Sequence, residues 1–316
     1  MLTQMRMVLD KSLLAAIRLL ALAWLTWLAG CSTVAPPVAV PVEPPPVVEP
    51  PPRPPRLGLA LGGGAARGFA HVGVIQVLEA QGIRPDLVTG TSAGSLVAAL
   101  YASGKGAAEL ERVALGMDEA LLTDWTMPLA SRGLMRGEAL ARYVRQAVGG
   151  RLIEQMAMPL GILATDLANG SGVLFRRGDA AQAVRASSAV PGVFNPVPIA
   201  GREYVDGGLV APEPVRQARD MGAELVLAID ISADPQDIDA NGLLSLLPKT
   251  TAIMGQSINR LELARADLVV RPSLAGIGSA DFTARQRSIE AGRAAMLAAM
   301  PRLRQLLARG RPVEPH

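Results

Sequence analysis

Two histidines and a single cysteine stand in a chain of 316 residues, and that scarcity removes several kinds of chemistry at once. One thiol cannot form a disulfide within its own chain. A zinc-type centre built on histidine and cysteine lacks ligands, so a metal is not expected. Of the two histidines, His316 ends the chain. His71 lies at helical spacing from Val74, Ile75 and Leu78, on the apolar face of its helix, where it reads as part of the packing. A Ser-His-Asp triad is therefore not expected. Aromatic residues make up only 3% of the chain, and the bases, nearly all arginine, are interspersed with acids. No basic block carries interleaved aromatics, so a nucleic-acid partner is not expected. The formal net charge is +3, falling to +1 once residues 1–30 are set aside.

The first thirty residues read as a targeting segment. Arg6, Lys11 and Arg18 form a basic region, and Leu19 to Leu28 an apolar core of ten residues, too short to span a bilayer. Leu28-Ala29-Gly30-Cys31 then resembles a bacterial lipoprotein box, whose cysteine is lipidated and becomes the new N-terminus. Ser32 follows, without the aspartate associated with inner-membrane retention. The expected location is the outer membrane, facing the periplasm. From Pro36 to Pro55 the chain holds 11 of its 25 prolines, a composition that stays extended and acts as a spacer. The expected organisation is a signal peptide over 1–30, a lipidated N-terminus and linker over 31–56, one large domain over 57–311, and a tail over 312–316.

Within that domain, Gly90-Thr91-Ser92-Ala93-Gly94 follows the apolar run Leu87-Val88-Thr89 and precedes a helix-forming stretch. A G-x-S-x-G set between strand and helix mounts a serine nucleophile on a sharp turn, which tolerates only small neighbours two residues away, here Gly90 and Gly94. Upstream, Gly62-Gly63-Gly64-Ala65-Ala66-Arg67-Gly68 follows the apolar strand Leu57 to Leu61 and opens a helix expected over Arg67 to Gln81. Bare N–H groups in such a loop converge on an anion. A nucleotide loop fails on spacing: G-x-G-x-x-G from Gly62 meets Arg67 where glycine is needed, and the Walker pattern from Gly63 meets Phe69 in place of lysine. Beside a candidate nucleophile, the loop reads as an oxyanion hole over Gly62, Gly63 and Gly64, supported by Arg67 and Gly68.

Apolar strands alternate with helical stretches through to a last helix expected from Thr283 to Met300. This implies an α/β fold of three layers, a mostly parallel central sheet with helices on both faces. Ligands in such folds sit at the carboxyl ends of strands, where both motifs fall. Without a histidine the base must be a carboxylate. Asp166, Asp206 and Asp230 all lie at or near strand ends, and the pattern does not rank them.

The stretch Leu57 to Gly104, with its glycine loop and G-T-S-A-G, resembles the opening of the patatin-like phospholipases, notably the bacterial branch related to neuropathy target esterase. Ala164 to Val210, ending in Asp206-Gly207-Gly208, is similar to that family's second half. The resemblance implies a Ser92–Asp206 dyad, an acyl-serine intermediate and an oxyanion hole at Gly62 to Gly64, with no cofactor. It implies hydrolysis of carboxylic esters of phospholipids, lysophospholipids or related lipids. The rivals are an acyltransferase using the same dyad and a silent, membrane-tethered lipid-binding protein. Trp125 to Met135 is an apolar stretch suited to an acyl-chain wall or lid.

Overall fold

The computed structural model describes residues 53–117, 124–125, 132–238 and 242–309. Cys31, the targeting segment, most of the proline spacer and the tail lie outside them, as do residues 126–131 of the expected lid.

Strands β1 (Leu57–Leu61), β2 (Leu87–Thr91), β4 (Leu160–Asp166) and β9 (Leu225–Ile229) are buried at every position. Continuous apolar runs form such strands because helices cover both sides of the sheet. On β1 the alternation sorts large from small. Leu57, Leu59 and Leu61 face one layer, which holds helices α1 (Ala70–Ala80), α2 (Ala93–Ala102), α3 (Ala107–Leu115), α4 (Glu138–Ala147), α5 (Ala180–Ser187) and α8 (Arg285–Leu307). Ala60 faces a thinner layer built on Val215, Ala218 and Leu263 of α6 (Val215–Asp220) and α7 (Leu243–Leu263). The three-layer α/β expectation is met.

The sheet runs in the order β10-β9-β1-β2-β4-β8-β7, where β10 is Leu268–Val270, β8 Arg202–Asp206 and β7 Val197–Ile199, and β5 (Gly172–Phe175) also pairs with β4. Pairing is parallel from β10 through β4 and antiparallel for β5, β8 and β7.

The register around β4 places the site. Residues 162–165 of β4 pair with β5 along one side. Both β2, which takes 160–163, and β8, which takes 164–166, must then share the other side. They run in opposite directions and meet end to end: Thr91 pairs with Leu163, and Asp206 pairs with Ala164, the next residue along. The close approach leaves no room for a side chain at Gly207, whose added Cβ would stand 2.3 Å from the Leu163 carbonyl oxygen.

Three departures from the sequence reading have physical causes. The helix after the glycine loop opens with a 3-10 turn over Ala65–Phe69 before α1 begins at Ala70. The last helix continues through Pro301 to Leu307 instead of stopping at Met300. Burial of Met300 and Leu303 outweighs the hydrogen bond that proline removes. Strands β3 (Gly133–Met135), β6 (Gly192–Phe194) and β7 have three residues each, too short for any alternation to register.

Candidate active site

Ser92 caps α2 at φ 52° and ψ −124°, a left-handed conformation for a residue with a Cβ. Such a conformation costs on the order of 1–3 kcal/mol and persists only where the surroundings over-determine it. Here they do. The Ser92 N–H donates to Ser187 Oγ at 2.9 Å, and the Ser187 hydroxyl donates to the Leu163 carbonyl at 2.6 Å. The turn closes so tightly that a Cβ on Gly94 would sit 2.1 Å from the Leu61 carbonyl oxygen and 2.6 Å from that of Gly62.

Asp206 ends β8 and is 6% exposed. Its N–H donates to the Ala189 carbonyl at 3.0 Å, and its own carbonyl accepts from Thr165 Oγ1 at 2.8 Å. Of its carboxylate oxygens, Oδ1 accepts from the Gly208 N–H at 2.7 Å. Oδ2 is buried without a hydrogen bond of normal geometry, yet the Ser92 hydroxyl is near enough to favour the charged form. Burial dominates and pushes the carboxyl up to about 6, against the pull of the Gly208 N–H and Ser92. A carboxylate in that range is a far better proton acceptor than an exposed aspartate.

The other two aspartates are committed elsewhere. Asp166 is paired with Arg202, and its Oδ1 accepts the Ala168 N–H. Asp230 binds Arg271 through Oδ2 and Ser232 through Oδ1. The hydroxyl of Ser232 and the Arg271 guanidinium hold Asp230 below the usual carboxylate range despite its burial.

The glycine loop needs a correction. The Gly62 N–H donates to the Ile229 carbonyl at 3.2 Å and the Gly63 N–H to that of Pro212 at 3.0 Å, so backbone pairing spends both. Among the described residues the Gly64 N–H donates to none, and Gly64 lines the same cavity as Ser92 and Asp206. Of the three glycines, Gly64 alone keeps a free donor among the described residues, and the acceptors that occupy Gly62 and Gly63 come from distant segments. Arg67 is buried in the 3-10 turn, and Gly68 packs against Ala93 at the start of α2.

His71 is fully buried in α1, and its Nε2 stands 2.9 Å from the Gly62 carbonyl oxygen. Burial drives its pKa down to about 4, so the ring is neutral; because a carbonyl only accepts, Nε2 carries the proton. It is a buttress of the glycine loop. Glu213, which the sequence reading passed over, is completely buried beneath the same loop, close against Gly62. Burial, and then the neighbouring Asp230, raise its pKa well above the ordinary value. Ser187 was missed as well; the pair Ser187-Ser188 carries no local pattern that marks it.

Two cavities open on Ser92. One, about 290 Å³, runs between α2, α3 and α4 and is walled by apolar side chains including Phe69, Val97, Leu100, Leu110 and Phe194. Met135 reaches it from the expected lid, whereas Trp125 is 69% exposed. The other, about 220 Å³, lies on the Asp206 side and is bounded by α7. Among the described residues no cluster of three or more histidine, cysteine, aspartate or glutamate side chains could hold a metal ion.

A family model described as patatin-like phospholipase matches residues 59–219. An uncharacterized NTE family protein of Mycobacterium tuberculosis is 34% identical over 221 residues, a match covering 67% of this chain and 61% of that one. The patatin-like phospholipase domain-containing protein 6 of Mus musculus is 34% identical over 195 residues, covering 59% of this chain and only 14% of the mouse protein. The chain thus spans less than two thirds of these curated relatives. In backbone, the VipD structure from Legionella pneumophila overlays with a TM-score of 0.50 at 14% identity, over 82% of this chain and 67% of that one, a likeness of fold.

Proposed function

The chain belongs to the patatin-like phospholipase family, and from that premise we propose that it is a serine acyl hydrolase of lipid carboxylic esters working through Ser92 and Asp206. One observation carries the reading. A strained, outward-facing serine stands beside a buried carboxyl whose Oδ2 has no other hydrogen-bond partner among the described residues.

The steps follow from the geometry. Ser92 Oγ attacks the ester carbonyl carbon while Asp206 Oδ2 takes the hydroxyl proton, and the Gly64 N–H stabilises the oxyanion. The bond from the carbonyl carbon to the alcohol oxygen breaks, and Asp206 returns the proton to the departing alkoxide. Water then loses a proton to Asp206 and attacks the acyl-serine; the acid leaves and Ser92 recovers its hydrogen. The apolar cavity takes the acyl chain and the Asp206 side takes the alcohol.

The direct test is covalent labelling. A fluorophosphonate is expected to phosphonylate the wild-type protein on the peptide containing Ser92 and to leave Ser92→Ala unlabelled. Labelling that persists in folded Ser92→Ala would remove Ser92 from the proposal.

The tether is proposed on the sequence alone. A diacylglyceryl-modified, N-acylated Cys31 buries its chains at ~0.8 kcal/mol per CH₂, enough for stable attachment. Cys31→Ala is expected to leave hydrolysis intact and release the protein from the membrane fraction. Retention there would rule out the lipid anchor.

A further inference from the structure

The two carbonyls that occupy the Gly62 and Gly63 amides each stand immediately before a carboxyl. The Pro212 carbonyl accepts from the Gly63 N–H and precedes Glu213; the Ile229 carbonyl accepts from the Gly62 N–H and precedes Asp230. Parallel pairing aligns Leu61, Ile229 and Val270 at the ends of β1, β9 and β10, so the residues that follow, Gly62, Asp230 and Arg271, leave the sheet side by side. Thr91 Oγ1 donates to the Ala211 carbonyl and Thr89 Oγ1 to that of Pro214, both at 3.0 Å, which pins the segment carrying Glu213 against β2. Glu213 Oε1 then fills the space that a side chain on Gly62 would take: an added Cβ would stand 2.5 Å from it.

The hydrolytic steps leave this carboxyl unused. It is completely buried and faces the Asp230 carboxyl closely enough for one side-chain hydrogen bond between them, with the Asn259 amide alongside. Two carboxylates only accept, so a bond between them needs a proton on one. Asp230 is already committed as an anion: Oδ2 accepts from Arg271 Nε at 2.7 Å, and Oδ1 accepts from the Ser232 N–H at 2.9 Å and from its hydroxyl at 2.5 Å. With the proton on Glu213 the cluster is neutral, one carboxylate against one guanidinium. Without it, two buried carboxylates share a single cation, which is strongly unfavourable in a desolvated site.

We propose that Glu213 is a positioning residue for the oxyanion hole, holding the glycine loop in place through a proton shared with Asp230. This role rests on the hydrolase reading of the same site. Loss of the proton makes Glu213 and Asp230 repel. Each is one residue from a carbonyl that fixes the loop, so their separation moves Gly62 and Gly63 and carries the Gly64 N–H away from Ser92. What is lost acts on the transition state, so kcat suffers more than KM. The charged groups that act on Glu213 are Asp230 and Arg271; α7 faces it with the neutral Asn259, and the His71 ring, which meets Gly62 from α1, is held down to about 4 by burial.

The full-length protein is assayed on p-nitrophenyl butyrate between pH ~6 and ~10, with spontaneous hydrolysis subtracted. Wild-type kcat is expected to pass through a maximum and fall on the alkaline side while KM stays nearly constant. Glu213→Gln can still donate to Asp230 but cannot ionise, so its alkaline limb is expected to move up by at least ~1 pH unit or to vanish. Glu213→Ala leaves the loop without its support and is expected to lose about tenfold in kcat, with KM changed by less than about twofold. Stability gives a readout that needs no turnover. The Glu213 contribution is fully present below the ~4.3 of an unfolded chain and lost as pH rises through the raised folded value, so the Tm of Glu213→Gln relative to wild type is expected to climb with pH. An alkaline limb unchanged in Glu213→Gln, or a Tm difference that stays flat with pH, overturns the inference and leaves the hydrolase reading standing. Failure of the wild type to turn over the ester at any pH overturns the hydrolase reading, and the positioning role with it.

Discussion

Replacing Asp206 by asparagine is expected to slow ester hydrolysis by ~10² to 10⁴, the usual worth of a positioned general base. Asparagine keeps the shape, and its Oδ1 can still accept from the Gly208 N–H. What it loses is the proton acceptor next to Ser92. The wild-type pH profile carries a matching signature. Hydrolysis requires the ionised carboxylate, so kcat/KM rises with pH through about 6, where burial places Asp206. A limb there is commonly assigned to histidine. Burial pushes the His71 ring down to about 4 and the Asp206 carboxyl up to about 6.

Stability supplies an independent readout of the same substitution, with the opposite sign. The folded-state pKa of Asp206, about 6, stands above the ~3.9 of an unfolded chain. Its contribution to stability is therefore fully present below pH ~4 and lost as pH rises through about 6. Above that window the wild type bears a desolvated carboxylate at a cost on the order of 3 kcal/mol, from a shift of about two pKa units. Asp206→Asn does not titrate. Its Tm relative to wild type is expected to be higher at pH 8 than at pH 4, measured by calorimetry. A variant that keeps most of its activity, or a Tm difference that falls with pH, would remove Asp206 from the role of base.

How the two reacting groups come together was only half legible. Each motif was plain in its own window, because the apolar runs before Ser92 and before the glycine loop mark strands ending in small residues. The choice of Asp206 over Asp166 and Asp230 was not. It rested on resemblance, since what distinguishes the three is their partners: Arg202 lies 36 residues from Asp166, and Arg271 lies 41 from Asp230. The end-to-end meeting of β2 and β8 on one side of β4 is equally non-local. So is the loss of the Gly62 and Gly63 amides to Ile229 and Pro212, which narrows a three-glycine hole to Gly64. A strand pattern reports which face a residue takes, and says nothing of which carbonyl waits opposite its N–H. The buried Glu213 and the hydroxyl of Ser187 belong to the same class. Each is a polar residue in an otherwise unremarkable stretch, and its meaning comes from atoms that fold against it.

The same convergence makes Gly94→Ala the substitution expected to do most damage for its size. An added Cβ would lie 2.1 Å from the Leu61 carbonyl oxygen and 2.6 Å from that of Gly62. Both are backbone atoms at the end of β1, and neither can rotate away as a side-chain tip can. The Gly62 carbonyl is also the one that His71 holds at 2.9 Å, so relief of the clash must move either the start of α2 or the glycine loop. Moving α2 releases the strained turn that presents Ser92; moving the loop displaces the Gly64 N–H. A misplacement of about 1 Å at a reacting centre is worth about 10² in rate, so kcat is expected to fall at least that far even where the variant folds. Its Tm is expected to drop as well, since overpacking between backbones costs about 1–3 kcal/mol or more. Gly278→Ala is the control, because a Cβ there meets nothing within 4 Å. It adds the same methyl group and is expected to change neither quantity. A Gly94→Ala protein with wild-type kcat/KM and Tm would show that the turn and the loop move independently, and that the close packing of β1 against α2 does not hold the site in register.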